Sequence, residues 1–397
     1  MTVVVQTLLT EDDLRSAMAL FRTAMVGLPP LVPTAELSEP GRALGAYIEG
    51  GLIGTAESYT SWLVVPGGRR VPHAAVTHVG VLPTHTRRGV LTALLHRQLA
   101  DIAERGEAVA TLRASEGGIY ARFGYGIASS FARVEVQRRR ARLRDTVAAS
   151  GPVRFVDGVA AWKLLPQIYA TADISWTGAV DRPEYWWRLQ ELLSAAPSYC
   201  LVHGPAGAED GFARYQPVDP MSWLSRPEKQ VVVNDFVAAT PTAYRGLIRQ
   251  LLSIDLVETF VFPFVALDSP LRHLLTDERA VQVVSTRDET WLRLVDVPQA
   301  LARRTYREGA AVVLEVVDPL LAANSGRYRI AADGVRRARE TAEVTVEVAD
   351  LAAVYLGGTT WRALAFAGRV DEHRPGAVAA ADALFTTDGL PFSGTFF

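Results

Sequence analysis

The chain carries one cysteine, Cys200, in 397 residues. A single thiol excludes an intrachain disulfide framework and a multi-cysteine metal site, and it fits a reducing compartment. No apolar run approaches the ~18 residues of a membrane-spanning helix. The first charge, Glu11, arrives before any long apolar stretch and no basic segment precedes it, so no signal peptide is expected. These absences point to a soluble cytoplasmic protein with no membrane partner. The formal net charge is −2, too small for electrostatic capture of nucleic acid. G-x-x-x-x-G-K-[ST] and G-x-G-x-x-G are missing, which removes support for triphosphate and dinucleotide binding. H-E-x-x-H and H-x-x-x-H are missing, so no metal is expected, and without G-x-S-x-G there is no serine-hydrolase elbow.

Apolar residues are plentiful, at 49%. One core rarely grows past ~250–300 residues, so two or three domains are expected. The first region reads as α/β. A strand at Val3–Leu8 precedes a helix from Thr10 to about Met25, with Glu11, Asp12 and Asp13 at its positive end. Gly50-Gly51 marks a hairpin, Ala74–Leu82 a strand, Val90–Arg105 a helix and Val109–Ala114 another strand. The region closes on Q-R-R-R-A-R-L-R at 137–144, read as a solvated linker or strand edge. A second region spans 149–285 and includes a helix starting at Thr240-Pro241. A third begins near residue 286, with a strand over Trp291–Val297 and a last helix over Pro375–Phe385.

Two stretches carry chemistry. The first is V-G-V-L-P-T-H-T-R-R-G-V-L at 79–91. A strand enters a basic loop, Gly89 ends the loop, and a helix begins. Backbone N–H groups and the helix dipole favour an anion there, and Arg87 and Arg88 add full charges. The same pattern also suits a plain strand–helix connection with two exposed arginines. The second is R-A-S-E-G-G-I-Y-A-R-F-G-Y-G at 113–126, which sets two tyrosines and a phenylalanine among four glycines. Few packed elements tolerate so many glycines, so the stretch reads either as a core hairpin with awkward glycines or, taken with residues 79–91, as clearance for a cofactor arm. On its own, Tyr120 is better explained by a core aromatic with a satisfied hydroxyl. His73, His78 and His85 flank the 79–81 strand, and a histidine base is the obvious rival to any other; His78, on a strand, reads more readily as a packed residue, and His73 and His85 read as loop residues. Cys200, in S-Y-C-L-V-H, reads as buried and inert.

The 79–91 stretch resembles the acyl-CoA-binding motif of GNAT acetyltransferases, [QR]-x-x-G-x-[GA], departing from it at Thr86 and Leu91. Its R-R-G-V-L is similar to the version in one branch, the Eis (enhanced intracellular survival) N-acetyltransferases. So are A-S-E-G-G-I-Y-A-R-F-G-Y-G, W-L-R-L-V-D-V-P-Q-A-L at 291–301, Y-L-G-G-T-T at 355–360 and the ending G-T-F-F. The resemblance spans nearly the whole chain. It implies an α/β and α+β multidomain fold of tandem GNAT-like domains followed by a sterol-carrier-protein-like C-terminal domain. The expected limits are 1–148 for the catalytic GNAT domain, 149–285 for a GNAT-like domain without its own active site, and 286–397 for the last domain. It also implies acetyl-CoA as cosubstrate and a homohexamer.

Residue by residue, the resemblance puts the pantetheine arm on the strand of Val79, Gly80 and Val81. It puts the pyrophosphate on Arg87, Arg88, Gly89, Val90, Leu91 and Thr92, with Ser115 and Glu116 completing the cofactor contacts. Tyr120 matches a general acid, and the C-terminal carboxylate of Phe397 a general base. A phenol of pKa ~10 can protonate a departing thiolate. A terminal carboxylate, ordinarily at ~3.3–3.7, needs apolar surroundings to become a useful base, and Phe392, Phe396 and Phe397 could supply them. Gly80 leaves the approaching cofactor unobstructed, and Tyr125 reads as a packing aromatic.

The implied acceptor is a small amine, with polyamine-type, aminoglycoside-like molecules the typical case. A polycation binds best against acidic lining. Phe21–Val32, expected over the pocket mouth, holds no acid and one arginine. That suits a less charged or more apolar amine, unless the central domain supplies the acid. The competing readings are an apolar-ligand-binding protein with a vestigial GNAT part, and a protein-lysine acetyltransferase.

Overall fold

The computed structural model describes residues 2–26, 28, 37–194, 198–225 and 228–397. The chain forms two compact units: Met1–Ser129 joined with Glu289–Phe397, and Ser130–Asp288.

The first unit opens with β1 (Val4–Thr7) and α1 (Glu11–Ala24). The Thr10 hydroxyl accepts from the Asp13 amide, and the Asp13 carboxylate accepts from the Thr10 amide. This reciprocal cap satisfies donors that a helix start otherwise leaves open. β2 (Ala43–Ile48) and β3 (Gly51–Val64) form a hairpin whose turn residues, Glu49 and Gly50, both have positive φ (50° and 79°). The turn thus sits one residue earlier than Gly50-Gly51, in the twist that suits two-residue hairpins. Next come β4 (Arg70–Val81), α2 (Val90–Glu104), β5 (Val109–Leu112) and the two-residue β6 (Gly126–Ile127). Leu95, Leu99 and Ile102, one stripe of α2, pack on Ala74, Val76, Ala110 and Leu112 of β4 and β5.

The second unit starts earlier than the sequence suggests. β7 (Ser130–Gln137) lies between two strands of this unit, not with the first domain. The others are β8 (Val153–Val156), β9 (Tyr199–His203), β10 (Gly211–Pro217), β11 (Gln230–Ala238), β12 (Thr259–Ala266) and β13 (Val281–Asp288). Their order is β13-β7-β12-β11-β10-β9-β8. Ala132, Val134 and Val136 alternate along β7 into this unit's core, which fixes its register and its membership. The helices are α3 (Gly158–Thr171), α4 (Glu184–Leu193) and α5 (Pro241–Leu252), the last capped by Thr240 as its Thr-Pro start predicts. The basic run is no free linker. Arg138, Arg139, Arg140 and Arg144 pair with Asp255, Glu258, Asp277 and Glu278. Cys200 is buried on β9, and burial pushes its thiol up to about 12.

The chain then returns to the first unit. β14 (Trp291–Leu294) inserts between β5 and β6, giving the order β1-β2-β3-β4-β5-β14-β6. The W-L-R-L strand therefore belongs to the first sheet. After α6 (Val297–Arg303), a five-stranded sheet forms from β15 (Val312–Val317), β16 (Gly326–Ala331), β17 (Gly334–Arg337), β18 (Val344–Glu347) and β19 (Val370–Glu372), ordered β17-β16-β15-β18-β19. α7 (Val348–Tyr355), α8 (Trp361–Phe366) and α9 (Ala377–Phe385) cover it.

Two glycines of the 113–126 stretch give way to this C-terminal part rather than to a cofactor. A Cβ on Gly126 would lie 2.0 Å from the Ala349 carbonyl oxygen of α7, and one on Gly124 2.7 Å from the Arg293 guanidinium. Arg293 and Asp318 pair at 2.7 Å with side-chain exposure of 0% on both partners. Asn324 Nδ2 donates to the same carboxylate at 2.8 Å. Among the described residues, no helix is long and apolar enough to cross a membrane. None of them form a group of three or more His, Cys, Asp or Glu side chains that could hold a metal.

Candidate active site

β4 and β5 run parallel but pair only over His73–Ala75 and Val109–Thr111. Beyond Ala75, β4 continues against β3 alone, so the backbone edge of its last residues that faces β5 has no ladder partner among the described residues. This is where Val79, Gly80 and Val81 lie. The strand also bulges: Thr77 pairs with Glu57 and Gly80 with Thr55, leaving His78 and Val79 opposite Ala56. Gly80 serves helix packing more than ligand access, because a Cβ there would meet Ala24 and Phe21 of α1 at 3.1 and 3.3 Å.

The loop that follows is exposed at Arg87, Arg88 and Gly89. Gly89 caps α2 in the left-handed conformation (φ 79°), and the first intrahelical bond runs from Ala93 N to Gly89 O. The amides of Val90, Leu91 and Thr92 therefore have no intrahelical acceptor. Among the described residues, neither Arg87 nor Arg88 makes an ion pair or hydrogen bond. Two unpaired guanidinium groups beside a helix N-terminus form a cradle that fits a pyrophosphate.

Ser115 and Glu116 are exposed just after β5. Tyr120 follows at the head of a 3₁₀ turn, buried with Tyr125 at 6.1 Å and Trp291 at 6.4 Å between ring centroids. Burial raises the Tyr120 phenol above its ordinary value and the Glu116 charge adds to this, while a hydrogen bond with Ser115 pulls the other way. Burial also raises Tyr125, whose hydroxyl is enclosed and has no hydrogen-bond partner among the described residues, as suits a packing aromatic.

The C-terminal tail is anchored in the same unit. Glu289, 2% exposed, accepts from the amides of Ser393 (2.8 Å) and Gly394 (2.9 Å) and from the Ser129 hydroxyl (2.8 Å). Arg113 reaches Glu289 at 3.4 Å and donates to the Thr395 carbonyl. The Phe397 ring then rests edge-on against Tyr59 of β3, at 5.6 Å, beneath the Arg113 guanidinium. Phe396 does not help enclose the terminus: it is 59% exposed. Side chains alternate along a strand. Tyr120 packs with Ala74 and Val76, while Tyr59 pairs with Ala75. Tyr120 and Phe397 thus approach β4 from opposite faces.

Glu289, Arg113 and Tyr59 escape a reading of the sequence. Arg113 does open the glycine-rich stretch, but Glu289 is a lone acid whose partners lie over a hundred residues away on either side.

The three histidines separate. His73 is on β4 rather than in a loop, is buried, and meets the Thr111 hydroxyl at 2.6 Å. Burial, with Arg42 adding to it, pulls His73 down to about 3. The native state then refuses a proton that the unfolded chain takes up below its ordinary ~6.5, so stability falls by roughly 1.4 kcal/mol per pH unit as pH drops through that window. Unfolding free energies from urea titrations at about pH 7 and 5 should fall further for wild type than for His73→Gln, by roughly 2 kcal/mol; equal losses would remove His73 as the cause. His85 is bonded locally to Thr84. His78 meets Glu57, with Nδ1 2.7 Å from Oε2, and its ring lies edge-on to Phe21 at 4.9 Å. Of the expected mouth segment Phe21–Val32, Gly27 and residues 29–32 lie outside the described residues.

Residues 7–128 match an acetyltransferase (GNAT) domain family, residues 178–307 a second acetyltransferase (GNAT) domain family, and residues 297–394 the sterol carrier protein domain family. An uncharacterized N-acetyltransferase of Streptomyces griseus is 37% identical over 369 residues, 88% of each chain. The N-acetyltransferase Eis of Mycobacterium tuberculosis is 34% identical over 383 residues, 90% of this chain and 88% of that one. The crystal structure of Eis1 from Mycobacterium abscessus is 51% identical, with a TM-score of 0.93 over 99% of this chain and 100% of that one. A GCN5-related N-acetyltransferase from Anabaena variabilis shares the fold at 21% identity, with a TM-score of 0.85 over 100% of both chains.

Proposed function

The chain belongs to the Eis-type GNAT N-acetyltransferases, two GNAT domains followed by a sterol-carrier-protein-like domain, and we propose that it passes acetyl from acetyl-CoA directly to a primary amine of a small polyamine-type, aminoglycoside-like acceptor. Arg87, Arg88 and the amides of Val90–Thr92 would hold the pyrophosphate. The unpaired edge of Val79–Val81 would take the pantetheine arm and polarise the thioester carbonyl, with Ser115 and Glu116 completing the cofactor contacts. The amine attacks the carbonyl carbon, the C–N bond forms and the C–S bond breaks. Tyr120 protonates the departing thiolate, and the Phe397 carboxylate accepts a proton from the nitrogen.

The observation that carries this reading is the anchored tail. A buried carboxylate bonded to two backbone amides is a costly way to hold a chain end. Glu289 and Arg113 hold this one so that residue 397 reaches β3, the strand paired with β4. An apolar-ligand carrier needs neither that anchor nor an unpaired pyrophosphate cradle.

Thiol release from acetyl-CoA, measured over a panel of alkyl diamines, polyamines and aminoglycosides, tests it. One glycine appended after Phe397 should lower kcat roughly 100-fold, within the usual span of general-base contributions, with KM for acetyl-CoA unchanged. An unchanged kcat would remove Phe397 from the chemistry. No thiol release with any amine would remove the transferase.

A further inference from the structure

An alkylammonium that ends as an amide loses two protons from nitrogen. One leaves before attack, since an ammonium has no lone pair, and the other leaves the tetrahedral adduct. The Phe397 carboxylate accounts for one of them. We propose that His78, oriented by Glu57, is a second proton acceptor that takes the first proton from the incoming ammonium; this rests on the transferase reading above.

Three observations converge. Nδ1 is the ring atom that meets the Glu57 carboxylate. That bond keeps the proton on Nδ1 and leaves the lone pair on Nε2, the arrangement by which a carboxylate prepares an imidazole as base. Among the described residues Nε2 has no hydrogen-bond partner, and it is not enclosed: the His78 side chain is 19% exposed. A histidine kept only for packing would have both nitrogens satisfied or would turn its ring to solvent without a buried acid behind it. Second, His78 stands on the β4 bulge with φ 50°. Positive φ is uncommon for a residue with a side chain, and bulges beside active sites re-aim side chains that regular pleating would send elsewhere. The bulge lies within the unpaired edge of β4, which begins after Ala75.

The third observation is position. Glu57 and Tyr59 are two residues apart on β3 and share a face, so the Glu57–His78 pair and the Phe397 ring lie on one side of the sheet. Two strand residues span about 7 Å, a separation that one small acceptor bridges. Among the described residues, His78 meets the Glu57 carboxylate of β3 and the Phe21 ring of α1, one negative charge and one apolar wall.

The protons then balance. Nε2 takes the first, the Glu57 carboxylate offsets the imidazolium charge, and the exposed ring passes that proton to water as the net proton of the reaction. The free amine attacks. Phe397 takes the second proton, Tyr120 gives its own to sulfur, and the proton on Phe397 returns to Tyr120 through water. The enzyme ends as it began.

The test compares acceptors of different basicity at neutral pH: an alkyl amine, which arrives protonated, and a hydrazide, which arrives neutral. His78→Gln should lower kcat for the alkyl amine about tenfold to hundredfold, the lower part of the general-base range, and leave the hydrazide within about threefold. Glu57→Gln should shift both substrates in the same sense, but less. His78→Ala should regain rate with the alkyl amine when imidazole is added. Equal slowing of both acceptors in His78→Gln would make His78 a structural residue and overturn the proposal, as would unchanged rates or no rescue. Tyr120→Phe run alongside separates the two layers. If it slows both acceptors while His78→Gln slows neither, only the second acceptor falls; if neither variant slows either acceptor, the mechanism beneath it falls too.

Discussion

Tyr120→Phe should lower kcat about a thousandfold while acetyl-CoA still binds, a loss inside the 10²–10⁴ range of positioned acid catalysts. The change removes one O–H from a ring that is otherwise held by Tyr125, Trp291 and the α2 stripe. Packing, and hence the thermal transition, should hardly move. The phenol is raised by burial and by Glu116, so it stays protonated through the whole neutral range. Tyr120 therefore imposes no alkaline fall in rate below its ordinary value of ~10. A raised phenol is a weaker acid, but its target is a thiolate, and the Ser115 hydroxyl partly offsets the shift. Single-turnover thiol release, with acetyl-CoA affinity measured separately, checks the assignment. A variant that keeps full rate would leave the thiolate to solvent.

The second large effect is on stability. Asp318→Ala strands the Arg293 guanidinium, whose side chain has no exposed surface, and losing one partner of a buried pair costs about 3–5 kcal/mol. The same carboxylate also accepts from Asn324 and from the amides of Leu320 and Leu321, so several buried donors lose an acceptor together. Urea unfolding should show the loss directly. The double variant Arg293→Met with Asp318→Leu should recover only the part due to the stranded guanidinium, because apolar replacement of a whole pair is often neutral while Asn324 and the amides of Leu320 and Leu321 still lack their acceptor. A loss below about 1 kcal/mol for Asp318→Ala would mean that water reaches the pair. Arg293 also presses on Gly124, four residues past Tyr120, so an intermediate loss of activity should accompany the loss of stability.

Local chemistry was legible in the sequence. The Thr10 cap, the Thr240-Pro241 start, the α2 stripe and the Arg87–Thr92 turn all follow from short-range rules. What lay beyond it was pairing across distance. Nothing around Ser130 announces that its strand pairs with residues near 260 and 280, and the following arginines read as linker because their carboxylates are over a hundred positions away. The glycines at 124 and 126 signal that something comes close, but not that it is Arg293 and Ala349. Glu289 has no local signature at all: its role exists only once Ser393 and Gly394 have docked. His78 is a strand residue by pattern, and only the bulge turns it toward Glu57.

The strand order has a consequence for synthesis. β6 joins the sheet through β14, which the ribosome makes only after the whole second unit. The contiguous Ser130–Asp288 can fold as it emerges, while the segment carrying Tyr120 waits beside an open sheet edge. If residue 397 supplies the base, its carboxylate does not exist until the ester to tRNA is cut. On that reading the peptidyl-tRNA form would lack the proposed base, and release from the ribosome would complete the site.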